Sequence, residues 1–257
     1  MRGEPGSFIY YALMRAGKQG QRRILVIDVG GTHVKFRVAP RGELFKFASG
    51  PELAPDKMVR KLGKRIAQAE YDLVSLGYPG LVFRGRIAAE PHNLGTGWVG
   101  FDFEQALGKP VRLINDAAMQ AAGSYRGGRM LFLGLGTGLG VAMILDGVLE
   151  PMELGHLPYR DGLTFEEHVG ERARQRSGSK KWRRAVQDVL AYLRASLEAD
   201  YVVVGGGNVK RLRELPEGVY QGDNEDAFKG GVLIWQSDDP LALRIRAPGR
   251  VARPRAG

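Results

Sequence analysis

The 257-residue chain has no cysteine, which excludes disulfides, thiolate zinc sites, iron–sulfur clusters and a cysteine nucleophile together. No apolar run is longer than a strand, so nothing in the sequence has the length and hydropathy of a transmembrane helix and no membrane partner is expected. Histidine is scarce, with four copies, and one histidine without cysteine partners makes a poor zinc site. The missing cysteines agree with the reducing cytoplasm, the expected location. What remains is 44% hydrophobic and 26% charged, too apolar for a disordered chain and long enough for one large domain or two modest ones.

The net charge of +10 is unevenly spread. Residues 1–23 carry five basic residues and one acid, and residues 236–257 carry five arginines and two aspartates. Between them, residues 171–184 hold seven basic residues against one acid, and the rest of the body is slightly acidic. That is not the broad basic face of a duplex-DNA binder, so no nucleic-acid partner is expected. Residues 1–22 precede the first strand and lack a small-residue cleavage pattern, so they read as a flexible N-terminal extension. Residues 236–257 read as a basic, solvated tail.

Between these ends, strands alternate with helical stretches. Residues 24–27 and 34–38 flank a Gly-Gly-Thr turn and read as a hairpin. In 56–69, Met58, Leu62 and Ile66 fall on one helical face. Residues 73–76 and 111–114 read as buried strands, the second followed by an Ala-rich helix with Asp116 as its expected cap. Residues 130–135 and 141–145 form a second hairpin around Gly136-Thr137-Gly138, and 182–197 a long amphipathic helix. Residues 201–204 make a strand, followed by Gly205-Gly206-Gly207-Asn208 and a predicted helix over 209–214. Each half opens with a strand, a glycine-threonine turn and a return strand. Two α/β lobes facing a central cleft satisfy this pattern, with an N-terminal lobe over 23–112, a C-terminal lobe over 113–223, and 224–235 returning as a helix to the N-terminal lobe.

The turns carry the candidate chemistry. In Asp28-Val29-Gly30-Gly31-Thr32-His33-Val34-Lys35, an acid ends an apolar strand, and glycine amides can converge on phosphate oxygens beside a hydroxyl and a cation. Asp28 suits a hydrated magnesium ion. A plain Gly-Gly hairpin accounts for the same residues. Gly134 to Gly140 places four glycines in seven positions of a strand pair, which weakens a sheet unless a ligand or backbone comes close. Gly206 and Gly207 permit close approach of a flat ligand, or merely a tight strand-to-helix turn. Asp116, at the end of a buried strand where α/β folds place their sites, could take a proton from a sugar hydroxyl, and helix capping explains it as well. Glu153 and His156, or Asn93 beside Trp98, could hydrogen-bond a sugar, and each also reads as an ordinary structural residue.

In order along the chain, Asp28-x-Gly-Gly-Thr-x-x-Lys35, Gly77-x-Pro-Gly80, Asn93-Leu94 with Trp98-x-Gly100, Ile114-Asn115-Asp116-Ala117, Gly134-x-Gly-Thr-Gly138, Glu153-x-Gly-His156 and Gly205-Gly-Gly207 resemble the ROK family of sugar kinases, most of all its polyphosphate glucokinase branch. Lys181-Trp182-x-Arg184 and Asn224-Glu225 are similar to that branch, and the cysteine motif that holds structural zinc in many members is absent. The resemblance implies a two-lobed actin-like ATPase (ribonuclease H-like) fold and transfer of a phosphoryl group from polyphosphate or ATP to the 6-hydroxyl of glucose. It implies Asp116 as general base, and Asn93, Asn115, Glu153 and His156 as sugar ligands. Asp28, Gly30, Gly31, Thr32, Lys35, Gly136, Thr137, Gly138, Gly206 and Gly207 would hold donor phosphates or nucleotide, with Mg²⁺ beside Asp28 and no structural zinc. Lys180, Lys181, Arg183 and Arg184 would form a polyphosphate track, and the assembly would be a homodimer. Other expectations of the same family are an ATP-dependent kinase for mannose, fructose or an N-acetylhexosamine, and a non-catalytic sugar sensor. A DNA-binding repressor would need two helices and a turn, which residues 1–22 are too short to hold.

Overall fold

The computed structural model describes residues 22–223 and 225–242. The expectations for residues 1–21, for Asn224 and for the tail beyond 242 lie outside the described residues.

Two five-stranded sheets organise the molecule. In the first, β1 (Ile24–Val29) is buried along its whole length, as expected of a continuous apolar run between two neighbours. It pairs antiparallel with β2 (His33–Ala39), which pairs with β3 (Phe45–Ala48). On its other side β4 (Leu73–Tyr78) runs parallel to it. A small hairpin, β5 (Val82–Phe83) and β6 (Arg86–Ile87), follows, and β7 (Val111–Asn115) completes the order β3-β2-β1-β4-β7. The crossover helix α1 (Pro55–Ile66) begins with proline at its first turn and buries Met58, Leu62 and Ile66, as their spacing requires. The short α2 (Phe103–Leu107) is capped by Asp102 and stopped by a left-handed Gly108.

The second sheet is built from β8 (Arg129–Leu135), β9 (Leu139–Leu145), β10 (Val148–Met152), β13 (Tyr201–Gly205) and β14 (Val219–Gln221) in the order β10-β9-β8-β13-β14. A two-stranded hairpin, β11 (Pro158–Arg160) with β12 (Leu163–Thr164), stands apart from it. Counted from its own first strand, each large sheet reads third, second, first, fourth, fifth, with an antiparallel meander followed by parallel additions. The repeat visible in the sequence is therefore a duplicated topology.

Helix α3 (Asp116–Ser124) connects the sheets. Beyond it, α4 (Phe165–Val169), α5 (Glu171–Ser177) and α6 (Ser179–Ser196) cover one face of the second sheet, where Trp182, Val186, Val189, Leu190 and Leu193 of α6 enter the core. The last helix, α7 (Asp226–Leu233), packs against α3 and also against β1 and β4 of the first sheet. The α3–α7 crossing is backbone on backbone. A Cβ at Gly123 would lie 1.9 Å from the Asp226 carbonyl oxygen, and one at Gly230 would lie 1.8 Å from that of Met119. The small residues Ala117, Ala118, Ala121, Ala122 and Ala227 make up much of the core at this crossing.

Two expectations change. The first sheet keeps β7 through Asn115, so a boundary between residues 112 and 113 falls inside a strand; the chain passes between sheets at Asn115–Asp116. The predicted helix over 209–214 is a single 3₁₀ turn, Val209–Arg211, because Val209 is the one apolar residue there that reaches full burial. Among the described residues, no helix is long and apolar enough to cross a membrane.

Candidate active site

A cleft of about 610 Å³ opens between the sheets, walled by the turns β1–β2 and β8–β9. In the first turn the Gly30 amide donates to the His33 carbonyl at 3.0 Å, and in the second the Gly136 amide donates to that of Gly138 at 3.1 Å. The turns meet across the cleft, with the hydroxyls of Thr32 and Thr137 3.4 Å apart. Asp28 sits behind the first turn, 6% exposed, with the Lys35 ammonium 3.8 Å away. Its Oδ1 is buried without a hydrogen-bond partner. Burial pushes the Asp28 carboxyl up and Lys35 offsets part of that rise.

Asp116 is not the helix cap. Asn115 takes that position, its Oδ1 accepting from the Ala118 amide at 3.0 Å, while its Nδ2 donates to the Gly80 carbonyl at 3.2 Å. The amide expected to hold sugar is thus engaged at both ends by protein. Asp116, one residue later, is the first residue of α3 and lines the cleft. Its Oδ1 accepts from the Ala117 amide at 2.8 Å. Burial, then the charge of Asp28, push its pKa up to about 8 against that contact. The helix start fits there because β9 carries Gly140, where a Cβ would lie 2.7 Å from the Cβ of Ala117.

Asn93, Glu153 and His156 line one end of the cleft. The His156 ring nitrogen lies 3.5 Å from Glu153, whose pKa is raised by burial. Two neighbours were not anticipated. His92, from the first lobe, brings its ring to 5.3 Å from that of His156. Glu166, at the start of α4, accepts from the Leu139 amide at 3.0 Å, and its Oε2 lies 2.0 Å from where a Cβ of Gly138 would sit. Gly138 therefore serves to admit this carboxylate.

Gly206, Gly207, Asn208 and Arg211 line the cleft beside the second turn. Gly206 adopts φ +84°, and a Cβ there would lie 2.3 Å from the Leu135 carbonyl oxygen, so no larger residue fits. Lys180, Lys181, Arg183 and Arg184 are not part of the cleft lining. They belong to the first turns of α6, anchored by Trp182, whose Nε1 donates to the Val169 carbonyl at 2.7 Å. Among the described residues, no three His, Asp or Glu side chains converge to ligate a metal directly. The cleft thus brings two glycine-threonine turns, of a kind whose amides can face an anion, together with a carboxylate whose pKa is raised by burial.

The sequence profile described as ROK family matches residues 24–170. The chain belongs to the ROK family. The polyphosphate glucokinase of Mycobacterium leprae (strain TN) is 26% identical over 215 residues, 75% of this chain and 65% of that relative. The kanosamine kinase of Amycolatopsis mediterranei (strain S699) is 29% identical over 157 residues, 52% of this chain and 51% of that relative. Among solved structures, the inorganic polyphosphate/ATP-glucomannokinase from Arthrobacter sp. strain KM superposes with a TM-score of 0.72 at 27% identity, covering 82% of this chain and 97% of that one. The fold is the two-lobed actin-like ATPase arrangement of that ROK kinase.

Proposed function

We propose that this ROK protein is a sugar kinase that transfers a phosphoryl group from inorganic polyphosphate or ATP to the 6-hydroxyl of glucose, giving glucose 6-phosphate. The observation that carries the reading is the placement of Asp116, at the start of α3 in a cleft lined by both glycine-threonine turns.

In this reading Asp116 takes the proton of the sugar hydroxyl as its oxygen attacks the terminal phosphorus of the donor. The phosphoanhydride bond breaks, and the shortened polyphosphate or ADP leaves with the bonding electrons. The amides of Gly31, Thr32, Thr137 and Gly138 and the hydroxyls of Thr32 and Thr137 hold the donor phosphates, while the Gly30 and Gly136 amides close the two turns. Lys35 supplies positive charge. Asn93, Glu153, His156 and the newly found Glu166 hold sugar hydroxyls, while Asn115 seats the helix that carries Asp116. Catalysis is then mostly positioning and charge stabilisation, with the base contributing roughly 10²–10⁴ in rate.

The orphaned Oδ1 of Asp28 fits a hydrated Mg²⁺ ion, since a buried anionic oxygen without a donor needs a cation or its water. Bound there, the ion would neutralise charge on the donor phosphates. Gly206 and Gly207 support a nucleotide donor. The polyphosphate glucokinase relative supports a polyphosphate donor. The kanosamine kinase relative favours a second reading, an ATP-dependent kinase for another hexose. The same reading carries an assembly of two copies, measurable by sedimentation.

The test is a matrix of polyphosphate and ATP against glucose, mannose, fructose, N-acetylhexosamines and kanosamine. Glucose with either donor should give the highest kcat/KM. A maximum on another sugar moves the assignment to the second reading, and no transfer from any donor to any sugar removes both.

A further inference from the structure

Lys35 and Arg211 are the lysine and arginine in the cleft lining. Lys35 is engaged with Asp28 at 3.8 Å. Arg211 forms no ion pair among the described residues, and its place is nonetheless fixed. Its Nε donates to the Asn208 Oδ1 at 3.0 Å, and the same amide's Nδ2 donates to the Gly136 carbonyl at 3.0 Å. The 7%-exposed Asn208 therefore ties the guanidinium directly to the second glycine turn. With Nε occupied, both terminal amino groups remain for a ligand, the fork that binds phosphate oxygens in pairs. The nearby Glu171 does not cancel this charge, because Arg174 grips it through two bonds at 2.9 and 2.5 Å and holds its pKa well down.

We infer that Arg211, aimed by Asn208, binds the phosphate oxygens of the donor beyond the transferred group and is the main cationic anchor of a condensed phosphate chain in this cleft. The inference rests on the kinase reading for its ligand, a phosphoanhydride chain supplied as polyphosphate or as the tail of a nucleotide. It locates the donor's charge contact inside the cleft rather than on Lys180, Lys181, Arg183 and Arg184.

The test is calorimetric binding of tripolyphosphate and, separately, of ATP to the full chain over a range of salt concentrations. Wild type is compared with Arg211→Ala, Arg211→Lys and the α6 double variant Lys180→Ala/Lys181→Ala. Arg211→Ala should weaken tripolyphosphate about 10–100-fold and flatten its salt dependence, with unchanged melting temperature and glucose affinity. Arg211→Lys should restore part of the affinity, and the α6 variant should lose less than Arg211→Ala. A loss for tripolyphosphate and ATP alike assigns the contact to their shared phosphates, and a loss for tripolyphosphate alone assigns it to the polyphosphate donor. Tripolyphosphate binding by Arg211→Ala at wild-type strength, a larger loss in the α6 variant, or no binding of either probe to wild type overturns the inference. Failure of the kinase reading is distinct: donor binding that depends on Arg211 without transfer to any sugar refutes the activity and leaves the anchor standing.

Discussion

The two lobes share one strand order and one hairpin, and differ in what the hairpin carries. In the first, the pair one step back from the turn is Asp28 opposite Lys35; in the second, the equivalent pair is Gly134 opposite Gly140. One position supplies charge and the other supplies space. Space is what the second lobe needs, because the start of α3, with Ala117 against Gly140, occupies the volume that a side chain would take. A duplicated fold has thus divided its labour, with the charges of Asp28 and Lys35 on one side and room for the start of α3 on the other.

The largest expected effect comes from Asp116→Asn, which should lower turnover by roughly 10²–10⁴ while glucose still binds by calorimetry. Near-normal turnover would remove the base from the second lobe's side of the comparison. Next is Gly140→Ala, whose methyl would meet the Ala117 Cβ at 2.7 Å and push the helix start outward. It should cost about 1–3 kcal/mol in chemical denaturation and slow turnover about tenfold or more. Gly134→Ala, whose nearest contact is a Phe132 ring atom at 3.4 Å, should do neither.

The charged side is sharpened by pH. Since a base must be deprotonated to act, kcat/KM should rise with pH up to about 8 and fall about tenfold per unit below it. Asp28→Asn removes an anion that raises that pKa, so the limb should move to lower pH on a smaller rate; a limb that stays in place means that burial alone sets it. The smallest effect is on stability. A carboxyl with a raised folded-state pKa binds protons more tightly in the native chain, so it destabilises increasingly as pH climbs from the ordinary carboxylate range towards 8. Asp116→Asn should therefore raise Tm at pH 7.5, by about 2–4 °C per kcal/mol relieved, and the gain should vanish near pH 4.

Much of this was legible in the sequence because glycine clusters and apolar strand runs are local signals. Both hairpins, α1 and the buried face of α6 follow from spacing alone. What escaped depends on contacts at a distance. Whether Asn115 or Asp116 caps α3 turns on one residue of register, and either type suits a cap. Glu166 lies in Phe165-Glu166-Glu167-His168, where acids are ordinary first-turn residues and Glu167 does serve a capping box with Thr164. Only the fold reveals that its neighbour faces the cleft. Arg211 was hidden in a segment expected to be helical, and the α6 cations lie outside the cleft lining on a helix anchored by Trp182, which a charge count does not see.

The crossing of α3 and α7 without intervening side chains has a consequence for biosynthesis. The helix that bears Asp116 has its opposite end clamped by residues made more than a hundred positions later. While the ribosome is still extending the second lobe, that clamp does not exist, and a chain truncated before residue 226 would present its carboxylate on an unbraced helix. On the kinase reading, activity should accordingly switch on only when synthesis is nearly finished.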